Sequence, residues 1–316
     1  DIQYEAYMRS GNLPAHYEVN TDAPETQLTS TFDVLRTYGP DYKAIRRAVL
    51  QRLTALGAAG RLYEFVLVDE AQDLSAEALA VLQRVARHVT LFADRKQRIY
   101  DDGSEEEEIA SAFGLRRTNV TLLDGFRCSP YITSLASVLA ETAEERAAFA
   151  HQARTDQVER ETPLLFFSSS FDVERKRLYD VLRVRQTLGD QIAILLPKRH
   201  QVFGFAHGMQ EAGFDVEVQG RSMRDGPAAL DFSTDNPKVL TYHSAKGLTF
   251  DSVLLPRLVP SSFPQMREDR VRRLLFVGIT RARRWVYMSA DHRSPISALH
   301  TVRTLPGAGQ LEVQSG

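Results

Sequence analysis

The chain reads as an α/β protein built on parallel sheets and divided into two domains. Three observations lead there. Phe65-Val66-Leu67-Val68 is an apolar run that passes straight into Asp69-Glu70, the pattern of a buried parallel strand whose carboxyl end delivers two acids into a crevice. A helical stretch and a second apolar run follow at short spacing, which is the parallel strand-helix-strand unit. After a charged, alanine-rich interval from Glu141 to Glu161, a second series of the same kind begins, so the boundary falls at residues 140 and 141.

Residues 1–40 hold several turn formers (Gly11, Pro14, Pro24, Gly39, Pro40) and little periodicity. From Asp41, the apolar positions Tyr42, Ile45, Val49, Leu53 and Leu56 fall three or four apart, a helix face closed by Gly57 and Gly60. The Phe65 to Asp69 strand comes next. Ser75 caps a helix over 76–87, and Val89 to Ala93 forms a second strand ending at Asp94. Glu105 to Glu108 reads as a solvated helix start, Val120 to Leu123 as a short strand, and Ser129-Pro130 as the start of a helix to about Glu141.

In the second series, strands are expected at Leu164 to Phe167, Ile192 to Leu196, Asp215 to Val218, Lys238 to Tyr242, Ser252 to Leu255 and Trp285 to Ser289. Helices are expected over Asp172 to Leu188, Arg199 to Ala212 and Glu268 to Arg284, with a loop-like interval from Gly220 to Asn236. Trp285 opens an apolar strand and reads as core.

The 316 residues suffice for two ordinary domains, and 43% hydrophobic with 25% charged residues is a globular composition. No apolar stretch is long enough to span a membrane and no signal-peptide pattern is present, so no membrane partner and a cytoplasmic location are expected. The single cysteine, Cys128, leaves no internal disulfide and no cysteine-based zinc site. A net charge of −2 excludes bulk attraction to a polyanion. Any nucleic-acid contact must therefore be local. Only six of the 39 basic residues are lysine, so 33 are arginine, whose planar fork suits phosphate; for most of them a codon-usage bias is the stronger explanation. The chain opens on Asp1, which suggests a piece of a longer protein.

An acid at a strand tip can hold Mg2+, and its neighbour can accept a proton from an attacking water. The competing reading of Asp69-Glu70 is a strand ending in a polar loop. Four further stretches bear on the choice: Ala93 to Tyr100 (Ala-Asp-Arg-Lys-Gln-Arg-Ile-Tyr), Gly125-Phe126-Arg127-Cys128-Ser129, Thr241-Tyr242-His243-Ser244-Ala245-Lys246-Gly247-Leu248-Thr249-Phe250, and Leu274 to Arg283 (Leu-Leu-Phe-Val-Gly-Ile-Thr-Arg-Ala-Arg).

With Val68 to Asp73, these five segments in this order resemble the second to sixth motifs of superfamily 1 helicases, specifically the UvrD/Rep-like branch. The resemblance covers residues 41 to about 290. It implies two RecA-like parallel-sheet domains, the first incomplete at its N-terminal side, with ATP between them and single-stranded DNA, or RNA, across their top. By position, Asp69 would hold Mg2+ and Glu70 would activate water. Asp94 and Gln97 would lie at the nucleotide, Gln97 sensing its terminal phosphate, while Arg127 and Arg281 would act as arginine fingers. Gly247 and Thr249 would flank the nucleotide. Thr241, His243, Ser244 and Lys246 would contact nucleic acid. Surface salt bridges are the competing reading of the two arginines, and a structural role that of His243.

Three departures stand out. The chain contains no Gly-Lys dipeptide and hence no Gly-x-x-x-x-Gly-Lys-Ser/Thr phosphate loop. In the family that loop lies upstream of the Asp-Glu strand, so a missing N-terminal segment is expected to supply it. Asp101 and Asp102 stand where a base-stacking aromatic is usual, and Thr249 stands where the family has Glu. Only 113 residues separate Arg127 from Thr241, too few for the large accessory subdomain of long members. The function implied is an ATP-dependent helicase or translocase, with 3′ to 5′ travel as the family expectation. The alternative is a non-catalytic helicase-like module that binds nucleic acid or a protein partner.

Overall fold

The computed structural model describes residues 42–93, 103–104, 106–114, 128–140, 146–147, 161–218, 221–222, 226–227, 230–303, 305 and 310–316. The chain divides into two compact units, residues 1–120 and 121–316.

In the first unit, helix α1 (Tyr42–Leu56) ends in a 3-10 turn over Gly57–Gly60. Gly57 has φ +53, the left-handed conformation in which glycine closes a helix without a Cβ penalty. Strand β1 (Tyr63–Val68) and strand β2 (Ala86–Leu91) pair in parallel, with Val66 opposite Val89, and helix α2 (Ala76–Val85) is the crossover between them. Ser75 caps α2, its hydroxyl accepting from Ala78 N at 3.4 Å. Helix α3 (Glu106–Ala112) keeps Glu107 and Glu108 exposed and buries Ile109 with Ala71 and Leu79. The expected β1 strand is present, but it is not buried on both faces. Phe65 and Leu67 are 70% and 73% exposed, because among the described residues only the Val66 and Val68 side of β1 meets a helix layer. The strand expected at 120–123 lies outside the described residues.

The second unit is one parallel sheet of seven strands in the order β11-β3-β10-β9-β4-β8-β5. These are β3 (Leu164–Ser168), β4 (Ile192–Leu196), β5 (Glu217–Val218), β8 (Lys238–Thr241), β9 (Phe250–Leu255), β10 (Ala282–Asp291) and β11 (Glu312–Ser315). Two-residue strands β6 (Arg221–Ser222) and β7 (Gly226–Pro227) form a separate hairpin. β3 and β4 are buried at every position, which is why their sequences are continuously apolar rather than alternating. Helices α4 (Pro130–Ser137), α5 (Phe171–Thr187), α6 (Arg199–Glu211), α7 (Glu268–Ile279) and α8 (Ala298–Arg303) complete the unit. Its core joins Leu178, Leu182, Ile194, Met209, Val239, Leu254 and Tyr287.

Two expectations differ from what is observed. The boundary lies before residue 121 rather than at 140, because α4 packs on α7 and β10. Arg272 Nη2 donates to Val138 O at 3.1 Å, and Ser129 N donates to Arg283 O at 3.0 Å. The helix expected to reach Arg284 stops at Ile279, since Ala282 pairs with Phe250 and the chain there is already strand. Helix α8 and strand β11 were absent from the sequence reading. β11 carries only four residues, and pairing with β3 supplies its order.

Candidate functional site

In the first unit, Asp69 and Glu70 stand at the carboxyl end of β1, where open parallel sheets bind ligands. Glu70 has φ 54, a left-handed conformation that costs a non-glycine residue about 1–3 kcal/mol. Its N–H donates to Asp69 Oδ1 at 2.9 Å, and Gln72 Nε2 donates to its Oε2 at 2.5 Å. Ala71 N continues the ladder to Phe92 O at 2.8 Å. The strained turn thus fixes the Glu70 carboxylate beside the buried Gln72 and leaves Asp69 exposed. One exposed carboxylate suits Mg2+, which takes few protein ligands and keeps waters or phosphate oxygens. Asp94, Gln97 and Arg127 lie outside the described residues, as do Asp101 and Asp102.

In the second unit, the predicted residues separate into two groups at opposite ends of the sheet. At the amino ends of β9 and β10, Phe250 N donates to Arg281 O at 2.9 Å, which sets Thr249 beside Arg281 in the chain path. The same end receives the start of α4. Ser129 N bonds to Arg283 O, and Cys128 Sγ donates to Thr280 O at 3.5 Å. Residues from three separated sequence segments therefore meet within a few ångströms. Arg281 is 1% exposed, with Nε donating to Val277 O at 3.0 Å and Nη2 to Thr280 Oγ1 at 3.2 Å. A cation against the last carbonyls of α7 is favoured by the helix dipole. Such burial does not fit a surface salt bridge. Next to it, Arg283 pairs with Asp251 at 2.9 Å and Arg284 with Asp190 at 3.2 Å.

At the carboxyl end of β8, Thr241, His243, Ser244 and Lys246 share one turn. Thr241 Oγ1 donates to Ser244 Oγ at 2.9 Å and accepts from Ser244 N at 3.0 Å. Ala245 N donates to Thr241 O at 3.0 Å and Lys246 N to His243 O at 3.3 Å. Gly247, at φ +80, then turns the chain back toward the amino end of β9. Thr249 accordingly leaves the Thr241 group and joins the Arg281 side, while Gly247 stays in the turn, where Leu248 N donates to Ala245 O at 3.1 Å. Tyr242, between Thr241 and His243, is fully buried, and burial pushes its phenol above the ordinary range.

The sequence reading passed over the carboxyl end of β4. Lys198 N donates to Gln201 Oε1 at 2.9 Å, capping α6, and Gln201 Nε2 reaches Ser262 O at 3.2 Å. The signal was available, since Ile192 to Leu196 runs into Pro197-Lys198-Arg199-His200 much as β1 runs into its acids. Among the described residues, no cluster of three or more His, Cys, Asp or Glu could hold a metal, and no helix is long and apolar enough to cross a membrane.

Residues 227–293 match the family model of the UvrD-like helicase C-terminal domain. Both the Thr241 turn and the Thr280 to Arg283 segment fall inside that match, so the resemblance seen in the sequence is borne out there. A probable DNA helicase of Mycoplasma pneumoniae is 25% identical over 246 residues, covering 71% of this chain. The matched part is 43% of that relative's length. Among solved structures, the C-terminal domain of a possible DNA helicase from Lactobacillus plantarum aligns with a TM-score of 0.45 at 15% identity, over 60% of this chain and 98% of that one.

Proposed function

We propose that the chain is part of an ATP-dependent DNA helicase or translocase of the cytoplasm that couples ATP hydrolysis to 3′ to 5′ movement on a single strand. The observation that carries this reading is the meeting of Thr249, Arg281 and the Cys128-Ser129 segment at one end of β9 and β10, with the Thr241 to Lys246 turn at the carboxyl end of β8. Two chemically distinct groups at opposite ends of one sheet suit a protein that reads a nucleotide with one end and a polymer with the other. In this reading Asp69 would hold Mg2+, which would supply neutralisation of phosphate charge, and Glu70 would take the proton of the attacking water. Arg281 and Arg127 meet charge developing on the transferred phosphoryl group, and Asp94 and Gln97 line the nucleotide. Thr241, His243, Ser244 and Lys246 hold the phosphate chain of single-stranded DNA, or of RNA.

Two titrations test it. Anisotropy of a labelled oligothymidylate should detect binding, and Lys246→Ala should weaken it and reduce the salt slope by about 1. Calorimetry of residues 1–316 with Mg-ATP should show little binding and no turnover, because no Gly-Lys loop supplies the backbone N–H groups and lysine that cradle the β- and γ-phosphates. Micromolar binding with hydrolysis would refute that part.

One observation favours a second reading, a non-catalytic module that binds nucleic acid or a protein. The Arg281 guanidinium is buried on its own helix. In that case oligonucleotide affinity would ignore Mg-ATP in every longer form of the protein.

A further inference from the structure

A buried carboxylate outside all the recognised segments organises the carboxyl end of the large sheet. Glu174, in the first turn of α5, is 1% exposed. Its Oε1 accepts from Arg257 N at 2.8 Å and from Ser289 Oγ at 2.7 Å, and its Oε2 accepts from Arg257 Nη1 at 2.9 Å. Arg257 has φ 57, a conformation that a non-glycine residue holds only when its surroundings over-determine it. One carboxylate gripping both the backbone N–H and the guanidinium of the same residue supplies that determination.

Arg257 opens the loop between β9 and α7, which is fastened at three further places. Leu258 N donates to Ser289 O of β10 at 2.8 Å. Ser262 O accepts from Gln201 at the start of α6. Phe263 is buried against Tyr242, with ring centroids 6.3 Å apart, and Tyr242 is the residue before His243. The loop therefore packs, through Phe263, against Tyr242 of the Thr241 to Lys246 turn.

We infer that Glu174 is a positioning residue for nucleic-acid binding: by clamping Arg257 in its left-handed turn it seats the 257–266 loop, and through Phe263 and Tyr242 it sets the Thr241 to Lys246 turn. This rests on the proposed nucleic-acid role of that turn. Glu174 itself touches no polymer. The clamp needs both carboxylate oxygens as acceptors, since Arg257 N and Ser289 Oγ donate to one and the Arg257 guanidinium to the other.

The experiment uses the 316-residue chain, amide hydrogen exchange over 257–266 and anisotropy with a labelled oligothymidylate. Glu174→Gln should raise exchange across the loop and lower affinity on the order of tenfold. Glycine accepts φ 57 without a clamp, so Arg257→Gly alone should stay within about twofold of wild-type affinity, and adding it to Glu174→Gln should recover most of the loss. That rescue separates positioning from general damage, which glycine would worsen. Unchanged loop exchange in Glu174→Gln overturns the inference, and so does loosened exchange with unchanged affinity. A large loss in Arg257→Gly alone overturns it as well, by making Arg257 a direct contact, and this arm stands even if Glu174→Gln does not fold. Failure of the wild-type chain to bind oligothymidylate, or indifference of binding to Lys246→Ala, would instead refute the nucleic-acid reading, with loop exchange still judging the clamp.

Discussion

Gly278 lies against the ring of Tyr242 so closely that a Cβ built on it would stand 2.7 Å from Cε1 and 2.9 Å from Cδ1. Tyr242 belongs to the turn at the end of β8, and Gly278 to the last turn of α7, three residues before Arg281. The absence of one methyl group lets the helix that leads into Arg281 press on the residue beside His243.

Gly278→Ala should therefore destabilise the protein. Alanine gains about 1 kcal/mol of helix propensity, but the ring it meets is wholly buried and overpacking costs about 1–3 kcal/mol. The Tyr242 hydroxyl has no hydrogen-bond partner among the described residues, so Tyr242→Phe should be neutral or stabilising by up to about 1 kcal/mol. Urea midpoints of the two variants should move in opposite directions or differ clearly.

Glu70→Gln keeps the size of the side chain and the contact to Gln72 while removing the ability to take a proton. In a form of the protein that hydrolyses ATP, turnover should fall on the order of a hundredfold or more with nucleotide affinity retained. Glu70→Gly is the complementary variant, since it relieves the φ 54 backbone and deletes the base. It should fold at least as well and be equally inactive. Steady-state hydrolysis beside a melting curve checks both, and full activity in Glu70→Gln would sink the general-base assignment.

Arg281→Ala should show two losses. Removing the buried guanidinium deletes its bonds to Val277 O, which keeps Thr280 Oγ1 as a donor at 3.0 Å, and to Thr280 Oγ1, at about 1–3 kcal/mol. If Arg281 also meets the transition state, turnover falls on the order of a thousandfold with a modest change in ATP affinity. Arg281→Lys separates the two, since it retains a charge at the helix end but not the planar fork. Native-like stability with lost turnover supports the finger, and lost stability alone supports a structural arginine.

Glu217 and Lys238 predict an acid-sensitive closure of the 231–238 segment. Lys238 Nζ is fully buried, 3.0 Å from Glu217 Oε1 and 2.8 Å from Asn236 O. Burial alone would push the Glu217 carboxyl up, but hydrogen bonds from Thr234, Lys238 and the Asp231 N–H outweigh it and hold the pKa below the ordinary glutamate value. A carboxylate with a depressed folded-state pKa contributes stability that is present above its unfolded value. That contribution is lost as pH falls through the folded value. Denaturation midpoints should therefore drop on acidification below about pH 4.3. Glu217→Gln should flatten that dependence while lowering stability near neutrality, by leaving Lys238 without its anion. A pH profile unchanged in the variant would assign the acid transition elsewhere.

Much of this molecule was legible in its residues because the deciding interactions are local. Ile192 to Leu196 is a strand because five apolar residues bounded by polar ones bury both faces. Ser75, Ser129 and Gly57 mark helix ends because capping acts over three or four residues. Such signals, with the order of the segments, were enough for a parallel α/β chain resembling the UvrD-like helicases, and for the residues grouped in the Thr241 turn.

Tertiary structure decided what depends on residues far apart in the chain. The helix ending at Ile279 rather than Arg284 follows from Ala282 pairing with Phe250, a contact that no local propensity encodes. The same long-range pairing places Thr249 on the Arg281 side, since β8 and β9 run parallel and the segment joining them must cross from one end of the sheet to the other. The burial of Arg281 and the grip of Glu174 on Arg257 are likewise products of packing. A lone Glu in the first turn of a helix looks in the sequence like any solvated acid. Only the fold brings Arg257, 83 residues away, onto its carboxylate.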